Sequence, residues 1–485
     1  MSPAKESDFS NLPLRQIPGN YGLPFIGAIK DRLDYYYNQG PNEFFKTRVD
    51  KYKSTIFRTN MPPGPFMAPN PKVVAVLDAV SFPILFDTSK VEKRNILDGT
   101  FMPSTKLFGG YRVCAFLDPS EPTHAAAKKF ALSFVASRHN SVIPIFRSCM
   151  SDLLRELEDD VDSGKVPENN FNTHSDKMSF DFVVRLFSDE DIPSKQTNLG
   201  SDGSKLFDKW LFFQLAPLMT LGKKFIPNFI EDLLLHTFRL PPFLVKSDYQ
   251  KLYDQFYSSA KTVLDDGERL GLSREEACHN HVFLAGFSSY GGMKVLFPGL
   301  IKWVGLAGED LHRRLADEIR TVVKSENGVS LSALEKMNLT KSVVYETLRI
   351  EPPVPFQYAT AKEDIMIHSH DGRFEIKKGE IIFGYQPFAT KDPKIFVNPE
   401  EFVGDRFMGD DGEKLLKYVY WSNGRETEEP TAGNKQCAGK NLVVLLSRLM
   451  LVDFFLRYDT FTVDVSTILL GPAVKVKTLT KATWH

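Results

Sequence analysis

The sequence contains little cysteine and no cysteine pairing pattern. Only four of its 485 residues are cysteine (Cys114, Cys149, Cys278 and Cys437), and no two of them have C-x-x-C spacing. Zinc sites and disulfide frameworks normally need such spacing, so neither is predicted. Sparse, unpaired cysteine is typical of a protein that works in a reducing compartment.

The chain also lacks a charge excess and an apolar leader. Its 60 basic and 61 acidic residues give a net charge of -1, which provides no basic field for nucleic acid. The first sixteen residues mix Lys5, Glu6, Asp8 and Arg15 without an apolar run. This composition indicates no signal peptide, transit peptide or anchor helix. We therefore expect a cytoplasmic protein with no nucleic-acid partner.

Low-complexity linkers and internal repeats are absent as well. We expect a single domain over residues 1–485, mainly α with a small β part. Apolar residues make up 42% of the chain, enough for a large core, and phenylalanine occurs 39 times. So much phenylalanine suits a pocket for a long acyl chain and suits an aromatic core equally well.

The segment 418–458 is the stretch around which the rest of the chain is organised. A polar loop with glycine and proline leads to Cys437, and an apolar helix follows over residues 442–456. A thiolate just ahead of a buried helix suits the proximal ligand of a haem iron, because N–H groups at the helix start can hydrogen-bond the sulfur. Taken alone, the same pattern also fits an inert buried thiol.

A second element lies far upstream of the cysteine. Glu346 and Arg349 stand three apart on a helix that Pro352 and Pro353 end, and Arg406 follows within an Asp-Arg-Phe segment. Glu-x-x-Arg, an aromatic-Arg segment and a glycine-containing loop with a cysteine and a helix, in that order, resemble the haem-thiolate superfamily, the cytochromes P-450. The resemblance implies the cytochrome P-450 fold and haem b, with Cys437 as axial thiolate ligand of the iron.

The cysteine loop departs from the usual superfamily pattern. Four positions normally separate the loop glycine from the cysteine, whereas Gly424 lies thirteen before Cys437, so nine residues are inserted. Trp421 replaces the usual leading phenylalanine. The insertion, together with N-K-Q-C-A-G-K, resembles the plant hydroperoxide-metabolising branch of allene oxide synthases, hydroperoxide lyases and divinyl ether synthases. The chain is most similar to allene oxide synthases of the non-plastid type, from Ile17 to the K-A-T-W near its end.

The resemblance implies a cofactor-binding set and a substrate-facing residue. Lys93, His124, Lys128 and Lys435 would contact the haem propionates, and Leu97 would face the substrate. His124 and Lys128 are also four apart on a helix that begins near Pro122, so they share one face. Without the resemblance, each residue also has an ordinary structural interpretation. Lys93 could be a surface lysine, Leu97 a core residue and His124 a structural histidine. Leucine at position 97 is typical of the lyases.

A long central helix is predicted from Ser273, with Glu276 completing a capping box, to Pro298. In oxygen-activating relatives this helix carries an acid-alcohol pair, but residues 285–292 (AGFSSYGG) contain no carboxylate and no threonine. Ser288 stands where the branch usually has an asparagine that holds the hydroperoxide, and serine is shorter, with one donor rather than two. Phe287 and Ser289 match the allene oxide synthase pattern.

Together these residues predict an enzyme that converts polyunsaturated fatty acid hydroperoxides to allene oxides, without O₂, NADPH or a redox partner. The alternatives are a hydroperoxide lyase, which Leu97 favours, and a divinyl ether or epoxyalcohol synthase. Outside this branch, a reductase-dependent monooxygenase and a non-catalytic haem or lipid carrier remain, and Ser288 favours the carrier.

Two further stretches carry expectations about the surface. The apolar residues 232–245, broken by Pro241 and Pro242, form either core or an exposed lip that touches lipid and makes the protein peripheral on membranes. His368 and His370 lie on one strand face of a hairpin that turns at Asp371 and Gly372. No further ligand stands nearby in the sequence, so both histidines are predicted to be solvated.

Overall fold

Helices form most of the protein. A computed structural model describes residues 11–68, 70–97, 101–200, 202–222, 226–469 and 471–483. Three of its helical segments have π-helical hydrogen bonding: Asp34–Asn38, Asp232–Thr237 and Leu284–Tyr290. The α-helices are Ile26–Leu33, Pro41–Tyr52, Pro122–Ser137, Val142–Asp162, Asn170–Phe187, Gly203–Leu215, Asn228–Glu231, Lys246–Ser259, Lys261–Arg269, Arg274–Phe283, Gly291–Ala307, Glu309–Ser325, Leu331–Glu335, Asn338–Ile350, Gln386–Thr390, Gly409–Leu415 and Lys440–Arg457.

Within the described residues the strands form four small sheets. The largest runs in the order Ile56–Asn60, Lys72–Val76, Ile381–Tyr385, Phe356–Ala361 and Val91–Glu92. A three-stranded sheet contains Leu14–Arg15, Arg373–Ile376 and Ile365–His368, and two hairpins pair Tyr420–Trp421 with Gly424–Arg425 and Tyr458–Thr467 with Pro472–Lys481. The predicted mainly α fold with a small β part is confirmed.

The largest sheet joins strands from residues 56–92 to strands from residues 356–385. Its first two strands pair antiparallel, with Ile56 opposite Val76. The second strand then pairs parallel to Ile381–Tyr385, more than 300 residues later. This pairing places an N-terminal strand beside the strand Ile381–Tyr385, which precedes the cysteine loop in the chain.

The central helix is longer than its sequence predicts. Ser273 caps it as expected, because its hydroxyl accepts a hydrogen bond from the Glu276 amide at 3.1 Å. The predicted end at Pro298 is wrong, since the helix continues through this proline to Ala307. A proline inside a helix removes one backbone hydrogen bond. Burial of apolar side chains around Pro298, among them Phe297 and Ile301, offsets that loss.

The predicted pair of Glu346 and Arg349 lies in the interior, with both side chains fully buried. Two guanidinium nitrogens of Arg349 donate to the Glu346 carboxylate at 2.7 and 2.8 Å. Arg406 donates to the same carboxylate at 3.0 Å, and to the carbonyl oxygen of Val397 at 2.6 Å. One carboxylate therefore fastens the helix Asn338–Ile350 to the segment that leads towards the cysteine loop.

His370 contradicts the expectation of a solvated side chain. Its Nε2 lies 2.7 Å from an oxygen of Asp392. Asp78 lies nearby, so that a carboxylate oxygen of each aspartate and a ring nitrogen of His370 are all within 4.8 Å of one another. Backbone N–H groups already donate to both carboxylates, for example Ala79 to Asp392 at 3.0 Å. The sequence could not reveal this cluster, because Asp78 comes from a distant strand end. His368 is half-buried, and burial lowers its pKa.

The stretch 232–245, defined here as the lip, takes the exposed form of the two that the sequence left open. Leu233, Leu234 and Phe238 are about half exposed, and Phe243 is 72% exposed. Only part of the lip, such as Leu235 and Val245, is buried. In the part of the chain that the structure describes, no helix has both the length and the apolar character needed to cross a bilayer.

The Glu346 carboxylate provides a stability prediction. We expect Glu346→Gln to lower the free energy of unfolding by about 3–5 kcal/mol, because two buried guanidinium groups lose their counter-charge. Asp152 and Arg155 form a matched pair, also three apart but about 60% exposed. Asp152→Asn should therefore cost roughly 0–1 kcal/mol. Urea unfolding measures both, and equal losses would contradict a special role for the buried pair.

Candidate active site

A large cavity of about 1150 Å³ lies between the central helix, the sheet and the cysteine loop. This volume suits a large cofactor with a substrate beside it, since pockets for one drug-sized ligand are roughly 300–1,000 Å³. All nine residues that the sequence singled out line this cavity: Lys93, Leu97, His124, Lys128, Phe287, Ser288, Ser289, Lys435 and Cys437.

Cys437 reaches the cavity from the end of the inserted loop, directly before the helix Lys440–Arg457. The backbone holds it, because its amide donates to the Ser422 carbonyl at 3.1 Å and its carbonyl accepts from the Lys440 amide at 3.2 Å. Burial raises the pKa of the thiol, and a hydrogen bond from the Gly439 amide partly opposes this effect. A metal cation at the sulfur would deprotonate it outright.

Lys440 holds the inserted loop against this helix start. Its ammonium is buried and donates to the carbonyl oxygens of Glu426 and Glu428 at 2.7 and 2.8 Å. It also lies 3.2 Å from the carboxylate of Glu429. The loop thus closes around one cation only a few residues from the sulfur.

Glu426 gives a structural reason for tryptophan at position 421. The Trp421 indole N–H donates to the Glu426 carboxylate, a bond that phenylalanine could not make. Tyr345, on the helix Asn338–Ile350, donates to the same carboxylate at 2.8 Å. The inserted residue Glu426 and the tryptophan at position 421 therefore act together. They fix the cysteine loop to the helix that carries Glu346.

Four basic side chains face the cavity near the loop: Lys93, His124, Lys128 and Lys435. None of the lysines forms an ion pair with a described carboxylate. They donate instead to neutral oxygens, as Lys435 does to the carbonyls of Ala115 and Leu117, each at 2.7 Å. Lys128 donates to the carbonyl of Gln436, and neither ring nitrogen of His124 completes a hydrogen bond to a described residue.

The pKa values of this cluster are lowered, because burial disfavours the charged forms of its basic groups. Burial, reinforced by the charge of Lys435, lowers the pKa of Lys93 to about 7. Burial also lowers the pKa of Lys435 to about 8 and that of His124 to about 4. Buried cations without partners are costly, so the cluster is suited to an anionic ligand. The two carboxylates of a haem, together with Cys437 for its iron, fit this set of donors.

The substrate-facing candidates lie on the π-helical segment of the central helix and on the loop after Lys93. Phe287 stacks on Phe283 with ring centroids 4.8 Å apart, so its ring orientation is fixed. Ser288 is exposed to the cavity, and Leu97 packs at the margin of the main apolar core. Residues 98–100, directly after Leu97, lie outside the described residues.

Two cavity-lining amides that accept hydrogen bonds from Lys93 escaped the sequence analysis. Asn423 turns the short hairpin before Gly424 with a φ of 64°, and its side-chain oxygen accepts from Lys93. Gln357 accepts from Lys93 on the other side, at 3.4 Å. The Asn-Gly pair is a turn signal that could have revealed the first residue. Nothing in the sequence around Gln357 distinguishes it from any other strand residue.

The shifted pKa of Lys93 predicts proton uptake when haem binds. At pH 8 a lysine with a pKa near 7 is about nine-tenths neutral, and a haem carboxylate beside it restores the charged form. Calorimetric titration of the apoprotein in two buffers of different ionisation enthalpy measures this uptake. Lys93→Arg stays charged at every working pH, so it should take up about 0.9 proton fewer. Identical uptake by both proteins would contradict the assignment.

Comparison with known proteins shows which families the sequence resembles. Residues 308–478 match the family model described as Cytochrome P450. The chain is 57% identical to allene oxide synthase 3 of Solanum lycopersicum, over 99% of this chain and 97% of that one. It is 51% identical to the chloroplastic allene oxide synthase of Arabidopsis thaliana, over 100% and 92%. It is also 54% identical to the 9-divinyl ether synthase of Capsicum annuum, over 98% and 99%.

These relatives also correct one prediction. The expected cytoplasmic location is wrong, because several of the relatives are named chloroplastic, which points to the plastid. The composition of the first residues misled the prediction of location. The matching family model and the near-complete coverage at more than half identity lead to one conclusion: the chain belongs to the cytochrome P450 family, in the haem-thiolate branch that contains the allene oxide synthases.

Proposed function

We propose that this protein is an allene oxide synthase, which converts polyunsaturated fatty acid hydroperoxides to allene oxides and water. The observation that carries this function is 51–57% identity to allene oxide synthases over nearly the whole chain. The cavity stretch 285–292 supports it, because it offers neither the carboxylate nor the threonine of an oxygen-activating relay. The substrate brings its own oxygen and oxidising equivalents, so the reaction needs no O₂, reductase or NADPH.

The haem supplies the one-electron chemistry that breaks the O–O bond of the hydroperoxide. One oxygen stays on the chain and closes the epoxide, while the other leaves as water with a proton lost from carbon. We assign Cys437 as the axial thiolate. Lys93, His124, Lys128 and Lys435 would bind the haem carboxylates through charge-assisted hydrogen bonds. The whole of residues 1–485 is proposed as one haem-thiolate domain.

The side chains on the substrate side would position the reacting chain. Leu97 and Phe287 present apolar surface that orients the carbon chain and excludes water from the radical. Ser288 and Ser289 can each donate one hydrogen bond to the hydroperoxide. A fatty acid hydroperoxide can lose water or undergo chain cleavage. Which of the two reactions occurs would depend on where these four residues hold the radical carbon.

A hydroperoxide lyase or divinyl ether synthase is the second candidate. Leu97 favours the lyase, and the identity to the Capsicum annuum enzyme favours the divinyl ether synthase. Incubation of the purified haem protein with a fatty acid hydroperoxide, without reductant, tests all of these functions. We expect loss of the conjugated-diene absorbance and the ketols that form when an allene oxide meets water. Aldehydes or divinyl ethers would identify the sibling activities, and no turnover without NADPH would overturn the proposal.

Ser288 gives a kinetic prediction. If a donor at this position steers the hydroperoxide, Ser288→Asn should raise the rate, because an asparagine amide reaches one heavy atom further. A tenfold gain corresponds to about 1.4 kcal/mol of transition-state stabilisation. Ser289→Ala is the companion variant, and a product shift there with no change at position 288 would move the steering role to Ser289. A lower rate for Ser288→Asn would contradict the idea that serine is a weakened asparagine.

Membrane contact through the lip is the second part of the proposal. Phe238 stacks on the exposed Phe66 at 5.1 Å, so the apolar surface continues beyond the lip. His236, within the lip, lies 3.0 Å from the carbonyl of Pro217, directly before the cavity-lining residues 218–222. An apolar surface beside the cavity would let a hydroperoxide held in a bilayer enter without crossing water. We infer that the lip rests on a lipid surface.

Vesicle flotation tests the lip. Leu234→Glu combined with Phe243→Glu should release the protein from vesicles, because each exposed apolar side chain contributes to interfacial binding. Val397→Glu provides the control, since Val397 is 81% exposed and lies outside the lip. Soret absorbance should be unchanged in all variants. Flotation of the double variant at the parent level would rule out this surface.

A further inference from the structure

Gln357 occupies a position that the proposed reaction does not use. It lies on the strand Phe356–Ala361, is only 4% exposed and lines the cavity. Its strand neighbours Phe356 and Tyr358 also border the cavity, but both pack in a hydrophobic cluster and bring apolar rings rather than polar partners. A buried polar side chain in this place therefore points to a partner on the cavity side.

The orientation of its amide follows from the chemistry of Lys93. Once a haem carboxylate restores the charged form of Lys93, its ammonium only donates, so the group 3.4 Å from the Lys93 nitrogen is then the amide oxygen. The amide nitrogen of Gln357 then faces away from Lys93, and it is buried without a hydrogen-bond partner in the described part of the chain. Buried donors in native proteins are rarely left unpaired, so this nitrogen calls for a ligand.

The neighbouring amide of Asn423, by contrast, has a partner for its nitrogen. Asn423 also accepts from Lys93, but its own nitrogen donates to the Ser422 hydroxyl at 3.0 Å. Gln357 thus brings an unsatisfied neutral donor to the place where Lys93 brings positive charge. A neutral donor adds a hydrogen bond to an anion without adding charge to a cluster already crowded with cations.

We propose that Gln357 is a further haem-binding residue, whose amide nitrogen donates to the haem carboxylate beside Lys93. Its amide oxygen at the same time orients the Lys93 ammonium towards that carboxylate. The inference rests on the haem that the family supplies and is independent of the hydroperoxide activity. The other acceptor that could reach this nitrogen is an oxygen of the substrate.

Titration of the apoprotein with two haems separates these ligands. One haem carries free carboxylates, and the other carries both carboxylates as methyl esters. Gln357→Leu should weaken the binding of free haem about tenfold, or about 1.4 kcal/mol. It should change the binding of the ester form little, because an ester oxygen is a weaker acceptor. Gln357→Glu should weaken free haem further, because it places a second carboxylate against the first.

Gln214→Leu is the matched control. Gln214 is also fully buried, with its amide nitrogen bonded to the Trp210 carbonyl at 3.2 Å, and it is not part of the cavity lining. This variant should leave the ratio of the two haem affinities at the parent value. Thermal unfolding of each apoprotein checks that the variants fold.

Two results would overturn the inference. Equal weakening of both haems by Gln357→Leu would show that the glutamine acts through the fold rather than on a carboxylate. Unchanged affinity of Gln357→Leu for free haem would also overturn it, and a raised KM of that variant for the hydroperoxide would then assign the amide to the substrate. The titration contains no hydroperoxide, so failure of the proposed reaction would leave its outcome unaffected.

Discussion

Uncompensated positive charge inside the protein is the constraint on which the site depends. Lys93, Lys128 and Lys435 turn towards one cavity, and the described residues offer them only neutral oxygens. Burial without a counter-ion lowers the pKa of Lys93 to about 7, so the cofactor-free fold is held in a costly state. An anionic cofactor relieves that cost, which couples haem binding to the stability of the fold.

The thiolate side of the site depends on a second set of buried charges. Glu346 is the shared carboxylate partner of Arg349 and Arg406, and Glu426 joins the inserted loop to the same helix through Tyr345. The loop can therefore be longer than the usual superfamily pattern while the sulfur stays fixed. The departures of this chain from the usual loop pattern are thus accounted for by specific contacts.

Sequence reasoning succeeded where the signal is local or the pattern is long. Ser273 and Glu276 predicted a helix start, and Cys437, Glu346 and their flanks predicted the family. It failed where the outcome depends on distant contacts: burial of the flanking apolar residues carries the central helix through Pro298, and His370 meets an Asp392 that no spacing rule links to it. Gln357 was missed for the same reason, because its partner comes from a different part of the chain.

The central claim is that the substrate supplies its own oxygen to a haem held by this cavity. Anaerobic turnover of a hydroperoxide labelled with ¹⁸O at both peroxide oxygens, without any reductant, tests it most directly. The account predicts full turnover, with one label retained in the allene oxide and its ketol and the other released as water in equal amount. A requirement for O₂ and reductant, or retention of both labels, would contradict it.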